Sequence, residues 1–189
     1  MVLNLGILIS GNGSNMVNIA KHCKLKNINC NIKIVLSNKN CGGIKKAKKL
    51  NLKSMILEPN KFKNRESYEN KVSTLLRDHN VNLVCLAGYM LKLGKKFVKK
   101  WEKKIINIHP SLLPAFKGIN AQEQAYREGV IFTGCTVHFV DQYLDTGQII
   151  DQRIVKIDRN KPLKDLVKKI LNEEHKLYIN VLKKLSKEN

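Results

Sequence analysis

The stretch that decides the fold is VLNLGILISGNGSNMVNIA, residues 2–20. Val2–Ile9 is a short apolar run that stops at Ser10-Gly11-Asn12-Gly13-Ser14, and helical spacing follows in Met16, Val17, Ile19 and Ala20. A strand that passes through a glycine turn into a helix is the opening half of a βαβ unit. Further along, the same alternation repeats. Ile32–Leu36 is a second apolar run ended by Ser37-Asn38, Gly42-Gly43 precedes a lysine-rich helix through Leu50, and Met55–Leu57 reads as a third strand. Asn64–His79 has helical period at Tyr68, Val72, Leu75 and Leu76, with its charges on the other face. Val81–Ala87 is a fourth strand and Gly88–Leu93 a loop. Phe97, Val98 and Trp101 mark a short helix before a fifth strand, Ile105–Ile108.

Short apolar strands alternating with helices of this length specify an α/β fold, Rossmann-like and doubly wound, with a mostly parallel sheet and helices on both faces. A loop and helix at about 118–128 follow, then two closely connected strands, Thr133–Val140 and Gln148–Ile157. The closing helix is expected from about Pro162 to Leu185, with Leu163, Leu166, Val167, Ile170, Leu177, Val181 and Leu185 as its apolar stripe. The expectation is one domain over 1–189. Ligands of open α/β sheets sit beyond the carboxyl ends of the strands, so chemistry is sought after Ile9, Ala87, Ile108 and Val140.

Composition narrows the function classes. The chain has 189 residues with 43% hydrophobic content, enough for one buried core. The formal charge of +20 invites a nucleic-acid reading, because lysine and arginine neutralise phosphates. Yet arginine stands only at 65, 77, 127, 153 and 159, and lysine, asparagine and isoleucine are all abundant, as codon drift in an AT-rich genome produces. Aromatics make up only 6% and are not interleaved with the lysines as stacking platforms would be, so nucleic acid is disfavoured. No apolar run approaches the ~20 residues that span a bilayer, and Met1–Ile9 is no secretory signal. Cysteines 23, 30, 41, 85 and 135 form no C-x-x-C pair, which reads as a reduced, cytoplasmic setting with no zinc site.

Three segments carry candidate chemistry. In the first loop, Gly11-x-Gly13 between strand and helix places backbone N–H groups at a helix N-terminus, where phosphate binds. A tight turn without ligand is the alternative. A dinucleotide fits poorly, because Met16 replaces the third glycine of G-x-G-x-x-G and the first acidic residue of the chain is Glu58. In the second, Asn107 and His109 stand two apart at a strand end, so their side chains leave one face. An amide donor and an imidazole there can polarise a carbonyl, one such donor being worth ~2.7–4 kcal/mol; a loop cap and a surface histidine are the alternative. In the third, His138-Phe139-Val140-Asp141 leads into Leu144-Asp145-Thr146-Gly147. A carboxylate beside His109 would favour the imidazolium near neutral pH, although spacing does not place Asp145 there.

Together these segments resemble the folate-dependent formyltransferase family, and within it the phosphoribosylglycinamide formyltransferases. The resemblance rests on Ile9-Ser10-Gly11-Asn12-Gly13-Ser14-Asn15, on Asn107-Ile108-His109-Pro110-Ser111-Leu112-Leu113-Pro114 with Phe116-Lys117-Gly118, and on Gly134–Asp141 with Asp145-x-Gly147-x-Ile149-Ile150. It implies transfer of the formyl group of 10-formyltetrahydrofolate, as co-substrate and without metal, to the amine of 5'-phosphoribosylglycinamide in purine synthesis. In that picture Gly11, Asn12, Gly13, Ser14 and Asn15 hold the ribonucleotide phosphate. Asn107 and His109 hold the formyl oxygen, with His109 as general acid, and Asp145 orients His109. The folate would lie against Met90, Leu91, Lys92 and Leu93, with Arg65 near its other polar end and Asn107 and the Asp141–Asp145 loop at the pterin. Glu174 would face the substrate from the final helix, which is expected to run on unkinked because Ile179 stands where the family usually has proline. The partners implied are small molecules, without membrane, for a monomer or homodimer. Formyltetrahydrofolate hydrolase and methionyl-tRNA formyltransferase share parts of these motifs, but each adds a domain for which 189 residues leave no room.

Overall fold

In β1 (Leu3–Ile9) every residue but Asn4 is buried, as a central strand covered on both faces must be. The computed structural model describes residues 2–188; Met1 and Asn189, the ends of the expected 1–189 domain, lie outside the described residues. β1 pairs in parallel with β2 (Cys30–Ser37) on one side and β4 (Leu83–Leu86) on the other. The full order is β3-β2-β1-β4-β5-β6-β7, with β3 at Ser54–Ile56, β5 at Ile105–His109, β6 at Phe132–Phe139 and β7 at Ile149–Lys156. The chain thus winds outward from β1 to β3 and returns to β4, and the crevice opens where the two directions part. The β5–β6 and β6–β7 pairs are antiparallel and the rest parallel.

Two cores flank this sheet. One packs α1 (Ser14–Lys24), α2 (Gly42–Lys49), α5 (Ala121–Arg127) and α6 (Leu163–Glu188) against it through Met16, Ile19, Ile44, Ala125, Ile170 and Leu177. The other packs α3 (Arg65–Asp78) and α4 (Lys95–Lys100) through Tyr68, Val72, Leu76 and Phe97. The larger aliphatic and Phe side chains among these each gain ~1.5–3 kcal/mol by leaving water. α6 runs 26 residues without a break. Its stripe is buried at Leu166, Ile170, Leu177, Val181 and Leu185, whereas Val167 is 37% exposed because it lines the crevice instead. Tyr178, fully buried, donates to the Leu86 carbonyl at 3.1 Å and pins the helix to the middle of the sheet.

α3 starts where Asn64 accepts from the Ser67 amide and Ser67 returns a contact to the Asn64 backbone, a capping box. One expectation for this helix is corrected: not all of its charges face solvent. Glu69 is 8% exposed, because its carboxylate accepts from the Gly94 amide at 2.7 Å and from Arg65 Nε at 2.8 Å. Helix periodicity does not reveal such a partner. All five cysteines are free thiols, and among the described residues no helix is long and apolar enough to cross a membrane.

Candidate active site

The crevice is a cavity of about 940 Å³ walled by the loops after β1, β4, β5 and β6. Those loops are tied together by their own backbone. Ser10 donates its amide to the Gly88 carbonyl at 3.0 Å and accepts the Met90 amide on its hydroxyl at 2.8 Å. Gly43 at the start of α2 donates to the Gly11 carbonyl at 3.0 Å. Gly13 holds φ at +68°, and a side chain there would press on the Gly43 backbone, so both conformation and space require glycine. α1 then begins at Ser14 with no side chain capping it, which leaves amide donors of its first turn available to a ligand.

Asn107 and His109 sit at the C-terminal end of β5 while Ile106 and Ile108 join the core beneath. His109 is 4% exposed. Its Nδ1 lies 3.4 Å from Asp145 Oδ2, and its Nε2 lies 2.8 Å from the Phe116 carbonyl. A carbonyl only accepts, so Nε2 donates there, and the other ring nitrogen is turned towards the carboxylate. Burial pushes the Asp145 carboxyl up. The hydrogen bond from His138, the Gly118 amide at 2.9 Å and the charges of both histidines outweigh burial and hold it below the ordinary carboxylate value. Asp145 occupies the left-handed region at φ 50°, and Gly147 beyond it is buried where any side chain would collide with the Phe139 carbonyl. That collision is the physical reason for the Asp-x-Gly spacing.

His138 completes the group. It is the direct cross-strand partner of Asn107 and is 2% exposed. Its Nδ1 donates to the Phe139 carbonyl at 2.8 Å, while its Nε2 stands 3.3 Å from Asn107 Nδ2 and 3.6 Å from Asp145 Oδ1. That nitrogen serves one neighbour at a time, accepting from the amide when neutral and donating to the carboxylate when protonated. Across the crevice Glu174 is 7% exposed and accepts from Asn15 Nδ2 at 2.9 Å. Burial raises its carboxyl from 4.5 to about 7, against a smaller downward pull from Asn15.

Of the residues singled out in the sequence, Gly11, Asn12, Gly13, Ser14, Asn15, Met90, Leu91, Lys92, Leu93, Asn107, His109, Asp141, Asp145 and Glu174 all line this one cavity. Arg65 does not; it pairs with Glu69 and donates to the Lys92 carbonyl, touching the 88–93 loop from outside. Leu93 is also a core residue at 8% exposure. Met90, Ile119, Tyr143 and Leu144 form an exposed apolar rim. Sequence reasoning gave no role to His138, to the Phe116 carbonyl or to the Gly118 amide. His138 stood inside a quoted motif and β5–β6 register would have found it, whereas main-chain groups leave no residue-type signal. Among the described residues no cluster of three or more His, Cys, Asp or Glu side chains is placed to hold a metal ion.

The formyl transferase family model matches residues 3–182. The phosphoribosylglycinamide formyltransferase of Bacillus subtilis (strain 168) is 40% identical over 180 residues, covering 95% of this chain and 92% of that protein. The human trifunctional purine biosynthetic protein adenosine-3 is 41% identical over 175 residues. That match takes in 92% of this chain but only 17% of the human protein, so the chain spans about a sixth of the trifunctional relatives. Among solved structures, glycinamide ribonucleotide transformylase 1 from Symbiobacterium toebii superposes with a TM-score of 0.95 at 35% identity, over 98% of this chain and 88% of that one.

Proposed function

The chain belongs to the formyl transferase family, and from that premise we propose that it moves the formyl group of 10-formyltetrahydrofolate to the amine of 5'-phosphoribosylglycinamide, a step of de novo purine biosynthesis. The products are formylglycinamide ribonucleotide and tetrahydrofolate. The observation that carries this reading is the buried His109–Asp145 contact at 3.4 Å, beside Asn107 in a cavity that also contains the uncapped start of α1.

The geometry supports a division of labour. The N-terminal part of the domain holds the ribonucleotide: Gly11–Asn15 offer backbone donors to its phosphate, and Glu174 faces it from α6. The C-terminal part carries the folate site and the chemistry, with the folate lying between the 90–93 loop and the Asp141–Asp145 loop against the apolar rim. As the amine attacks the formyl carbon, charge develops on the formyl oxygen. Asn107 donates its amide to that oxygen, worth ~2.7–4 kcal/mol for one well-placed donor. The adduct then collapses as the bond from the formyl carbon to the folate nitrogen breaks; His109, oriented by Asp145, passes a proton towards that leaving nitrogen while the attacking amine gives up one of its own, an acid–base catalysis worth ~10²–10⁴-fold. His109 must exchange its Phe116 contact for the substrate to do so. Five free thiols fit a cytoplasmic setting, and the enzyme is read as a monomer or homodimer.

The test is direct. Purified protein given both substrates forms formylglycinamide ribonucleotide and tetrahydrofolate in equal amounts. Hydrolysis of the formyl-folate with no formylated ribonucleotide would replace this reading with a hydrolase.

A further inference from the structure

A row of side chains crosses the sheet beside the site. Thr136 is the direct cross-strand partner of His109, and Gln152 is the partner of Thr136 on β7, so the three share one face. Thr136 is fully buried, and its hydroxyl makes three hydrogen bonds. It donates to the Ser111 carbonyl at 2.7 Å and accepts from the Leu113 amide at 3.1 Å and from Gln152 Nε2 at 2.8 Å. Gln152 Nε2 also donates to the Leu113 carbonyl at 3.0 Å. Within the turn, the equally buried Ser111 hydroxyl donates to the Ala115 carbonyl at 2.6 Å. The segment after Pro110 is thereby folded back over β6.

What that segment presents at its far end gives the network its meaning. The Phe116 carbonyl meets His109 Nε2 and the Gly118 amide meets Asp145 Oδ2. One main-chain acceptor and one main-chain donor, two residues apart, thus hold the two members of the pair. Phe116 takes up this position in the left-handed region, at φ 54°, a conformation that persists only where neighbours enforce it. A valine would fill the Thr136 site with the same shape, so packing alone does not call for a hydroxyl there.

We propose that Thr136 and Gln152 are positioning residues: they fix the 111–118 turn so that Phe116 and Gly118 hold His109 and Asp145 in their working orientation. This rests on the reading that the pair carries the chemistry.

The test uses the whole protein and the variants Thr136→Val, Thr136→Ser and Gln152→Met. In Thr136→Val, kcat falls on the order of 10- to 100-fold, the scale of a misplacement of about 1 Å, while KM for both substrates stays within about threefold. Thr136→Ser, which keeps the hydroxyl, restores kcat. The acid limb of the kcat profile moves to higher pH in Thr136→Val, because Asp145 loses its amide donor. Independently of turnover, ¹⁵N signals of the His109 ring, assigned with His109→Asn, report its contacts with Phe116 and Asp145 and change in Thr136→Val. Unchanged kcat in Thr136→Val, equal losses in Thr136→Val and Thr136→Ser, or an unmoved His109 spectrum each overturn the proposal. If Thr136→Val does not fold, Gln152→Met carries the same readouts, and its unchanged kcat and ring signals are equally decisive against it. A wild type without formyl transfer whose ring signals still respond to Thr136→Val would remove the functional reading and leave the positioning intact.

Discussion

Replacing Glu174 by glutamine should change how stability depends on pH. In the folded chain burial raises this carboxyl from 4.5 to about 7. The folded state therefore holds the proton more tightly than the unfolded one, and stability falls as pH rises from the unfolded value towards the folded one. At about 1.4 kcal/mol per unit the full effect is about 3 kcal/mol, of which about 2–3 lies between pH 5 and 8. Glu174→Gln does not titrate. Its amide oxygen still accepts from Asn15 Nδ2. Urea unfolding of both proteins at pH 5, 6, 7 and 8 reads the difference. The variant gains on wild type by about 2–3 kcal/mol across the range, about 1 M in the urea midpoint for an m-value of about 2–3 kcal/mol/M. Curves that stay parallel within about 0.5 kcal/mol would show that the folded carboxyl is already ionised at pH 5, and the burial argument would fail.

Two further outcomes concern the reaction. His109→Ala and Asp145→Asn each lower kcat by about 10²–10⁴-fold while folate affinity, measured by equilibrium titration, changes only a few-fold; lost binding with intact chemistry would take them out of the catalytic role. Inorganic phosphate competes with the ribonucleotide and not with the folate if, as proposed, the uncapped start of α1 takes the phosphate; steady-state inhibition patterns decide, and competition against the folate alone would dismiss the assignment of Gly11–Asn15.

How much of this could be read in the amino-acid chain depends on which interactions are local. The β1–loop–α1 unit was legible because an apolar run, two glycines and a helical stripe follow one another within residues 2–20. Asn107 and His109 were legible as a pair for the same reason, since alternation along a strand decides which side chains share a face. Asp145 was not: its approach to His109 crosses 36 positions and depends on β5 pairing with β6, so only the family resemblance suggested it. Glu174 lay beside Glu173 on one helix, and composition does not say that one is buried against Asn15 while the other meets Arg153 at 3.1 Å. His138 carries no signal in the sequence beyond its place in a strand, and it is the β5–β6 register that sets it opposite Asn107. The Phe116 and Gly118 contacts come from peptide groups that every residue carries, so their use is invisible before the backbone is placed.

The Asn15–Glu174 hydrogen bond joins positions 159 residues apart, and its consequence reaches to the making of the protein. The wall where the ribonucleotide would sit is assembled from the first helix and the last. During synthesis the N-terminal strands and helices emerge early and begin to pack, but the crevice lacks one side until α6 has left the ribosome and docked through Tyr178. A chain stopped before α6 therefore lacks one wall of the cavity, and a ligand held there would add stability only to molecules in which α6 has docked. Occupancy of the proposed ribonucleotide site would thus report that α6 has docked against the sheet.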